Sequence, residues 1–408
     1  MKPQTFNFDD FLSENCKSIR SSFLREILDT AEISEIISFA GGLPNPGLFP
    51  VNEIKWALDK VMSENARGAL QYAGSQGYLP LREWISGRYY KRFGMGIDPG
   101  NIIITNGSQQ SLDLSAKIFI NPGDCILMEE PSYIGAIQAF SAYNARMEQV
   151  TLLHDGINLD EFSVKVKSFG PKMFYCIPNY QNPSGISYSS ERRYQFAEMV
   201  SANKLIVLED DPYGEIYFDK GEQIPISFLV PGQCILTGSF SKMIAPGIRA
   251  GWIVVNEKLK PHYLKAKQAA DLHTNNIVQQ MIYTFLTSFN IDSHLDKIRV
   301  HYHRQKNNLL ETAKKYLPEG TTYTNPDGGM FVWATLPDDY DTMQLVDFAM
   351  REKVIFVPGK TFFVNGGGNS SMRLNFTNSS LQETEEGMKR LNRALCKYRE
   401  NLHVMAGL

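Results

Sequence analysis

The sequence of 408 residues is poor in cysteine and has no long hydrophobic run. Its five cysteines are widely separated and include no C-x-x-C pair, so we expect a reducing compartment and no disulfide framework. No apolar stretch reaches the roughly 18 residues of a membrane span. The first ten residues turn acidic where a signal peptide would become apolar. The sequence therefore predicts a cytoplasmic protein with no membrane partner.

The sequence also lacks an excess of basic charge. Subtracting 44 Asp and Glu from 41 Lys and Arg gives a net charge of −3. Proteins that neutralise nucleic-acid phosphates usually carry a basic excess, so nucleic acid is not an expected partner. At roughly 150 residues per domain, the length suggests two or three domains. The 24 Phe and 19 Tyr indicate a large core and an aromatic-lined pocket.

Several common motifs are absent. Gly359-Lys360-Thr361 has the end of a P-loop, but valine stands at position 354, where the first glycine of that motif belongs. No G-x-S-x-G occurs, so a hydrolase nucleophile is unsupported. His301 and His303 lie two apart on a predicted helix and face different directions, which predicts surface histidines. We expect no metal site.

Short apolar runs indicate buried strands in the middle of the chain. Helix-length segments such as residues 189–203 separate most of them. Unbroken apolar runs suit strands that are buried on both faces, and their alternation with helices predicts an α/β fold with a mainly parallel sheet. The runs lie at residues 102–105, 125–128, 173–177, 205–208, 234–237 and 251–255.

The C-terminal part has a different pattern, which predicts a smaller α+β domain. Helices are predicted at residues 290–316, 343–352 and 381–401, and strands at 354–357 and 372–376. We place an N-terminal arm that joins the small domain at residues 1–50. The large domain is placed at residues 51–290 and the small C-terminal domain at residues 291–408.

Five polar segments follow predicted strands. Free amides at a helix N-terminus bind phosphate, and open α/β sheets bind ligands at the carboxyl ends of their strands. A lysine at the end of a buried strand is costly without a partner or a covalent role. Taken singly, each segment also fits an ordinary turn, cap or solvated acid. The segments are TNGSQQ at 105–110, EPSY at 130–133, PNYQNPSG at 178–185, LEDDPY at 208–213, and GSFSK at 238–242 with Arg249.

Together these segments resemble the class I/II aminotransferases of fold-type I, which use pyridoxal 5′-phosphate (PLP). The similarity is greatest to the 2-aminoadipate and kynurenine aminotransferase group. SFAGGLPNP at 38–46, ALQY at 69–72 and MRL at 372–374 also match, and the resemblance extends from about residue 20 to about 395. Ser184 departs from the threonine that is usual in the family. The resemblance implies a large PLP-binding domain with a mainly parallel, seven-stranded sheet between helices.

The resemblance also implies roles for individual residues around the cofactor. Lys242 would form the aldimine with PLP and move the proton at the substrate α-carbon. Asp210 would pair with the pyridinium nitrogen, which lets the ring accept electrons. Asn182 and Tyr213 would bond the phenolic oxygen, and Tyr133 would stack on the ring.

Further residues would hold the phosphate and the substrate. Tyr72 would reach the phosphate from the neighbouring subunit, which makes a homodimer the functional unit. Arg373 would bind the substrate α-carboxylate as a bidentate fork, with Asn182 and Gly42 also at the substrate. Arg25, with Arg20 as the competing candidate, would meet a distal carboxylate. The phosphate would be held by Ser108, Gln109, Ser239, Ser241 and Arg249.

The resemblance leaves three functions to distinguish. The first is a ping-pong aminotransferase that moves an amino group between a 2-aminoadipate, aromatic or aliphatic amino acid and a 2-oxo acid such as 2-oxoglutarate. The second is a PLP-dependent β-lyase, which would share every cofactor contact. The third is a ligand-sensing domain like those of MocR-type regulators, which would need some 70 residues of DNA-binding domain before it. Because the match begins by about residue 20, the third is not expected.

Overall fold

The computed structural model describes residues 7–19, 35–219, 221–337 and 340–405. The α-helices are α1 Glu14–Ser18, α2 Val51–Ala69, α3 Leu79–Phe93, α4 Ser108–Phe119, α5 Ile134–Ser141, α6 Leu159–Phe169, α7 Ser190–Ala202, α8 Ile226–Leu229, α9 Lys260–Asp271, α10 Asn276–Ser288, α11 Ile291–Tyr316, α12 Thr342–Arg351 and α13 Leu381–Met405. The strands are β1 Ile37–Ser38, β2 Ile102–Thr105, β3 Cys125–Glu130, β4 Arg146–Leu153, β5 Gly156–Ile157, β6 Met173–Cys176, β7 Ile206–Asp211, β8 Cys234–Ser239, β9 Gly251–Val254, β10 Thr322–Tyr323, β11 Phe331–Thr335, β12 Val354–Ile355, β13 Val357–Pro358 and β14 Ser371–Asn375.

The large sheet has the strand order β2-β9-β8-β7-β6-β3-β4-β5. The neighbours from β8 to β4 are parallel, whereas β9 runs antiparallel to β2 and β8. The sheet has eight strands where seven were expected. The additional strand is β5, which forms because the chain reverses after β4 and pairs Leu152 with Ile157 and Leu153 with Gly156.

The apolar runs form buried strands of this sheet, as predicted. Every residue of β2, β6 and β8 is buried, and most of β3 and β7 is buried too. Strand β4 was not among the predicted strands. Its sequence mixes charged and apolar residues, and only part of it is buried because it lies near the edge of the sheet. A strand of this kind lacks the continuous apolar run of a central strand.

The C-terminal elements form a second sheet with the order β10-β11-β14-β13, in which all neighbours are antiparallel. The predicted strand at 354–357 is divided, since β12 pairs with β1 and β13 pairs with β14. The pairing of Ile37 with Val354 connects the N-terminal segment to this part of the molecule. Among the described helices, none is long and apolar enough to cross a membrane.

Side-chain caps fix the starts of two predicted helices. The Ser189 side chain accepts a hydrogen bond from the Arg192 amide at the start of α7, and Asn290 does the same for Ser293 at the start of α11. On α11, His301 and His303 are half-buried rather than fully at the surface. His301 Nε2 lies 3.0 Å from the side-chain amide of Asn45, while the His303 ring stacks on Phe218.

Candidate functional site

The polar segments at the carboxyl ends of β2, β3, β6, β7 and β8 meet in one cavity of about 300 Å³. The carboxyl ends of parallel strands lie at the same edge of a sheet, so these segments converge although they are far apart in sequence. Strand β14 of the second sheet adds Arg373. The lining residues are Gly42, Leu43, Ser108, Gln109, Tyr133, Ile177, Asn182, Asp210, Pro212, Tyr213, Ser239, Ser241, Lys242, Pro246, Arg249, Phe331 and Arg373.

Lys242 lies just beyond the end of β8 and extends its amine into this cavity. Its Nζ donates a hydrogen bond to the carbonyl oxygen of Gly42 at 2.8 Å. Burial, together with the positive charges of Arg373 and Arg249, lowers the pKa of Lys242 to about 8. A larger fraction of this amine is therefore neutral near pH 7–8 than for an exposed lysine, which makes it a better nucleophile and base.

Asp210 provides a buried carboxylate in the same cavity. Its Oδ2 accepts a hydrogen bond from the Tyr175 hydroxyl at 3.0 Å, whereas its Oδ1 has no partner among the described residues. Burial raises the pKa of Asp210 to about 7. The next residue, Asp211, does not line the cavity and accepts from the Asn179 amide at 2.9 Å, because successive side chains of β7 point to opposite faces.

An anion-binding cradle forms where α4 begins. Its N-cap is Gly107, which has a φ of +78° and gives no side-chain cap, so the first helical amides are not capped by that residue. The Ser239 hydroxyl donates to the Ser241 hydroxyl at 3.0 Å, and Arg249 Nη2 donates to the Asn106 carbonyl oxygen at 3.2 Å. Uncapped helical amides next to hydroxyls and a guanidinium favour a phosphate group.

Arg373 forms the opposite wall of the cavity. Its Nη1 donates to Asn182 Oδ1 at 2.8 Å, and its Nη2 donates to the Ala40 carbonyl oxygen at 2.5 Å. The guanidinium lies 4.2 Å from the centre of the Phe331 ring, and its buried Nε has no partner in the described part of the chain. Burial lowers the pKa of Arg373 to about 10, so the group remains charged near neutral pH.

The hydroxyls of two predicted site residues, Tyr213 and Tyr133, form hydrogen bonds with neighbouring amide side chains. Tyr213 accepts a hydrogen bond from Asn182 Nδ2 at 3.4 Å, and the Tyr133 hydroxyl donates to Gln109 Oε1 at the same distance. Burial raises the pKa of both tyrosines, so both carry their proton at neutral pH. Tyr213 therefore has a proton to donate inside the cavity, whereas the proton of Tyr133 is directed to Gln109.

One predicted residue, Tyr72, does not line this cavity. Tyr72 is 79% exposed and contacts the His273 ring of its own chain at 5.8 Å. Arg25 and Arg20 lie outside the described residues. The cavity is lined by all the remaining residues that were predicted to bind the cofactor or the substrate.

The structure adds three residues that were not predicted for the site. Tyr175 donates to Asp210, and Phe331 lies against Arg373. Gln181 anchors the loop that carries Asn182, since its Nε2 donates to Glu129 Oε2 at 3.1 Å and to the Pro131 carbonyl oxygen at 2.7 Å. In the sequence, Tyr175 is part of an apolar run and looks like core. The Gly-Gly pair before Phe331 was the one visible signal of a close approach at that point.

A larger open cavity of about 670 Å³ lies elsewhere, between the segments 185–190 and 323–327. Its lining includes His154, Asp155 and Tyr180. In the described part of the chain, none of the residues predicted for the cofactor or the substrate lines it. The smaller cavity is the candidate active site, because it joins a partly deprotonated amine, an anion cradle and a carboxylate with one oxygen that has no partner among the described residues.

Comparison with known proteins agrees with this geometry. The family model described as aminotransferase class I and II matches residues 39–391. The chain belongs to this aminotransferase family. The predicted fold class is confirmed, and the protein is a PLP-dependent transaminase of fold-type I.

Relatives of this transaminase match it over nearly their whole length. An aromatic-amino-acid aminotransferase of Thermococcus litoralis is 37% identical over 96% of this chain and 95% of the relative. The structure of a Thermus thermophilus alpha-aminoadipate aminotransferase, complexed with N-(5′-phosphopyridoxyl)-L-leucine, is 35% identical, with a TM-score of 0.90 over 96% of this chain and 99% of that one. A Pyrococcus horikoshii kynurenine aminotransferase is 37% identical, with a TM-score of 0.91 over 96% and 98%.

The residues of the cavity fit PLP. Oδ1 of Asp210, which has no partner among the described residues, suits the protonated ring nitrogen, because a cation there would satisfy a buried oxygen and stabilise the ionised carboxylate. The amine of Lys242 suits the aldehyde, and the cradle at the start of α4 suits the phosphate. When bound, PLP supplies an electron sink for the carbanion left by loss of the substrate α-proton.

Proposed function

We propose that this transaminase moves an amino group between a 2-aminoadipate, aromatic or aliphatic amino acid and a 2-oxo acid such as 2-oxoglutarate. The observation that carries the proposal is the position of the Arg373 guanidinium in the same cavity as the Lys242 amine. One group recognises an α-carboxylate and the other acts at the adjacent α-carbon. The choice of side chains rests on the names of the relatives, which include aromatic amino acids, aminoadipate and kynurenine.

The residues that line the cavity have separate roles in the proposed reaction. Arg373 and Asn182 orient the substrate α-carboxylate, with Gly42 also at the substrate. Lys242 Nζ would accept the proton from the substrate α-carbon and donate it to C4′ of the cofactor. Asp210 keeps a proton on the ring nitrogen of the cofactor, since its carboxylate is held in place by Tyr175.

Tyr213 and Asn182 donate hydrogen bonds to the phenolic oxygen of the cofactor, and Tyr133 covers its ring. Ser108, Gln109, Ser239, Ser241 and Arg249 hold the phosphate. These assignments are supported by the position of every one of these residues in the cavity lining.

Single half-reactions test the proposal against the β-lyase alternative. The PLP-loaded enzyme is mixed with L-2-aminoadipate or L-phenylalanine in the absence of a 2-oxo acid. A transaminase should produce one equivalent each of the 2-oxo acid and pyridoxamine 5′-phosphate per active site, and added 2-oxoglutarate should regenerate PLP. Release of pyruvate and ammonia from a cysteine conjugate, with no pyridoxamine 5′-phosphate from any donor, would favour the β-lyase.

We further propose that the functional unit is a homodimer in which Tyr72 reaches the cofactor phosphate of the neighbouring subunit. In its own chain this tyrosine is 79% exposed and does not line the cavity. Trp56 and Met62 on α2, and Leu70 just after it, are also exposed. Exposed apolar surface of this kind supports an interaction site.

Mixed dimers test the contribution of Tyr72. We expect Tyr72→Phe to weaken PLP binding, by about 10-fold for a lost bond to a charged phosphate. When Tyr72→Phe chains are mixed with inactive Lys242→Ala chains, the hybrid has one site with both native residues. PLP affinity at that site should return to the wild-type value. Mixing that restores nothing would contradict a contribution across the interface.

Arg25 is proposed to meet a distal substrate carboxylate. We expect Arg25→Ala to lower kcat/KM for 2-aminoadipate and 2-oxoglutarate by roughly 10- to 150-fold, which corresponds to a lost charged hydrogen bond of about 1.5–3 kcal/mol. Aromatic and aliphatic donors place no carboxylate there and should change several-fold at most. Arg20→Ala is the matched control. Equal losses for both substrate classes would contradict the specificity role of Arg25.

Two other expectations remain predictions. The division into an arm at 1–50, a large domain at 51–290 and a small domain at 291–408 is supported by the separate sheets and by the pairing of β1 with β12. The cytoplasmic location rests on the sequence alone.

A further inference from the structure

A buried lysine lies outside the cavity, behind the start of α4. Lys267 on α9 is fully buried and does not line the cavity. Its Nζ donates to both carboxylate oxygens of Asp271 at 3.1 Å, to Gln110 Oε1 at 3.0 Å and to Thr274 Oγ1 at 2.9 Å. A buried ammonium is costly unless it is paired and hydrogen-bonded, and here these partners compensate it.

The partners of Lys267 bind the turn at residues 106–108, which leads into α4. Asp271 Oδ2 accepts from Asn106 Nδ2 at 2.5 Å and from Gln110 Nε2 at 2.7 Å. Gln110 Oε1 also accepts from the backbone amide of Asn106 at 2.9 Å. The first residue of the turn is therefore held through both its side chain and its backbone.

The other side of the turn meets the phosphate cradle. The carbonyl oxygen of Asn106 accepts from Arg249 Nη2 at 3.2 Å. A Cβ atom at Gly107 would lie 2.6 Å from the same guanidinium nitrogen. Ser108 follows as the first residue of the helix and lines the cavity. Because the packing is this close, a shift of the turn would displace both Arg249 and the helical amides.

We propose that Lys267 and Asp271 are positioning residues that hold the turn at 106–108 in the conformation that binds the cofactor phosphate. This inference rests on the proposed phosphate role of Ser108 and Arg249. A methionine at position 267 would fill a similar volume but could make none of the hydrogen bonds of the lysine. The network therefore orders the turn in advance of binding, which reduces the conformational cost of binding the phosphate.

The test compares two ligands that differ only in the phosphate. Apoenzyme is titrated with PLP and with pyridoxal, and dissociation constants are measured by fluorescence quenching. For Lys267→Met we expect the dissociation constant for PLP to rise by about 10-fold or more, the size of a lost hydrogen bond to a charged group. The value for pyridoxal should stay within about twofold. The phosphate preference of the enzyme then falls while its reaction with the aldehyde is retained.

Lys306→Met is the matched control. Lys306 is a second buried lysine, only 6% exposed, but its Nζ donates to Asn325 on another part of the molecule. This variant should leave the ratio of the two dissociation constants unchanged. Asp271→Asn should change that ratio in the same direction as Lys267→Met, and it decides the question if Lys267→Met does not fold.

Three outcomes would overturn the inference in distinguishable ways. Equal weakening of PLP and pyridoxal would mean that Lys267 serves general stability alone. Wild-type dissociation constants for both ligands in both Lys267→Met and Asp271→Asn would mean that the turn needs no such support. A wild-type apoenzyme that binds pyridoxal as tightly as PLP would overturn the phosphate site itself, and this inference with it.

Discussion

Replacing Lys242 by alanine should reduce multiple turnover to about 1% of wild type or less, because a positioned acid–base group contributes roughly 10²- to 10⁴-fold. The alanine has no amine to act at the substrate α-carbon, and it also loses the hydrogen bond to Gly42. PLP should remain weakly bound through its phosphate and ring contacts. Steady-state kcat and the PLP retained after gel filtration are the two measurements.

Lys360→Ala is the control for this experiment. Lys360 belongs to the Gly-Lys-Thr segment, and the structure places it exposed in the 3₁₀ helix Gly359–Phe362. Its replacement should change kcat by less than about twofold, as for most surface substitutions. If Lys242→Ala kept more than a few per cent of wild-type kcat, the catalytic assignment of Lys242 would be wrong.

Replacing Asp210 by asparagine should reduce kcat by roughly 10³-fold or more, which is about 4 kcal/mol at 1.4 kcal/mol per factor of ten. Asparagine has nearly the same volume, but it carries no negative charge to keep the ring nitrogen of the cofactor protonated. Oδ1 of Asp210, which has no partner in the described part of the chain, is the reason to expect this effect at position 210. Single-turnover rates with a saturating amino donor measure it.

The neighbouring acid, Asp211, provides the control, since it is the next carboxylate in the same LEDDPY segment. Asp211→Asn should lower kcat by less than about 10-fold, because this carboxylate bonds Asn179 and does not line the cavity. A larger effect at position 211 than at position 210 would transfer the role to Asp211.

The stability of the apoenzyme shows whether lost activity reflects unfolding. Burial raises the pKa of Asp210 from 3.8 to about 7, so the folded apoprotein binds more protons than the unfolded chain between these values. Ionised Asp210 therefore lowers stability increasingly from about pH 4 to pH 7, and fully above pH 7. Asp210→Asn removes this cost. Its apoenzyme should melt at or above the wild-type temperature at pH 8, as measured by calorimetry.

The predicted site residues came from two kinds of signal. Polar segments after apolar runs identified the positions of Asp210, Lys242 and Ser108, because parallel strands end at one edge of a sheet. The resemblance to aminotransferases added Arg373, which lies on a strand of the other sheet. Residues that act through long-range contacts were missed. Tyr175 belongs to an apolar run, and its hydroxyl has a partner that is identified only when β6 and β7 pair.

The sequence pattern also did not predict strand β4 near the edge of the large sheet or the chain reversal that forms β5. Strand β4 mixes charged and apolar residues because it lies near the edge, and the short β5 depends on a reversal after Leu153. The strand predicted at 354–357 was divided between two sheets, since β1 pairs with its first half and β14 with its second. Local pattern does not specify pairing partners that are far apart in the chain.

The sequence by itself determined the fold class and the positions of the buried strands along the chain, and its resemblance to aminotransferases implied the type of cofactor chemistry. Continuous apolar runs must be buried on both faces, and a lysine at the end of such a strand needs a partner or a covalent role. Only the tertiary structure showed that Asp210, and not Asp211, lines the cavity. It also showed that Oδ1 of Asp210 has no partner among the described residues, and that Lys267 and Asp271 are hydrogen-bonded to Gln110 and Asn106 near the start of α4. Those features depend on side-chain direction and on contacts between distant segments, which arise when the sheets and helices pack together.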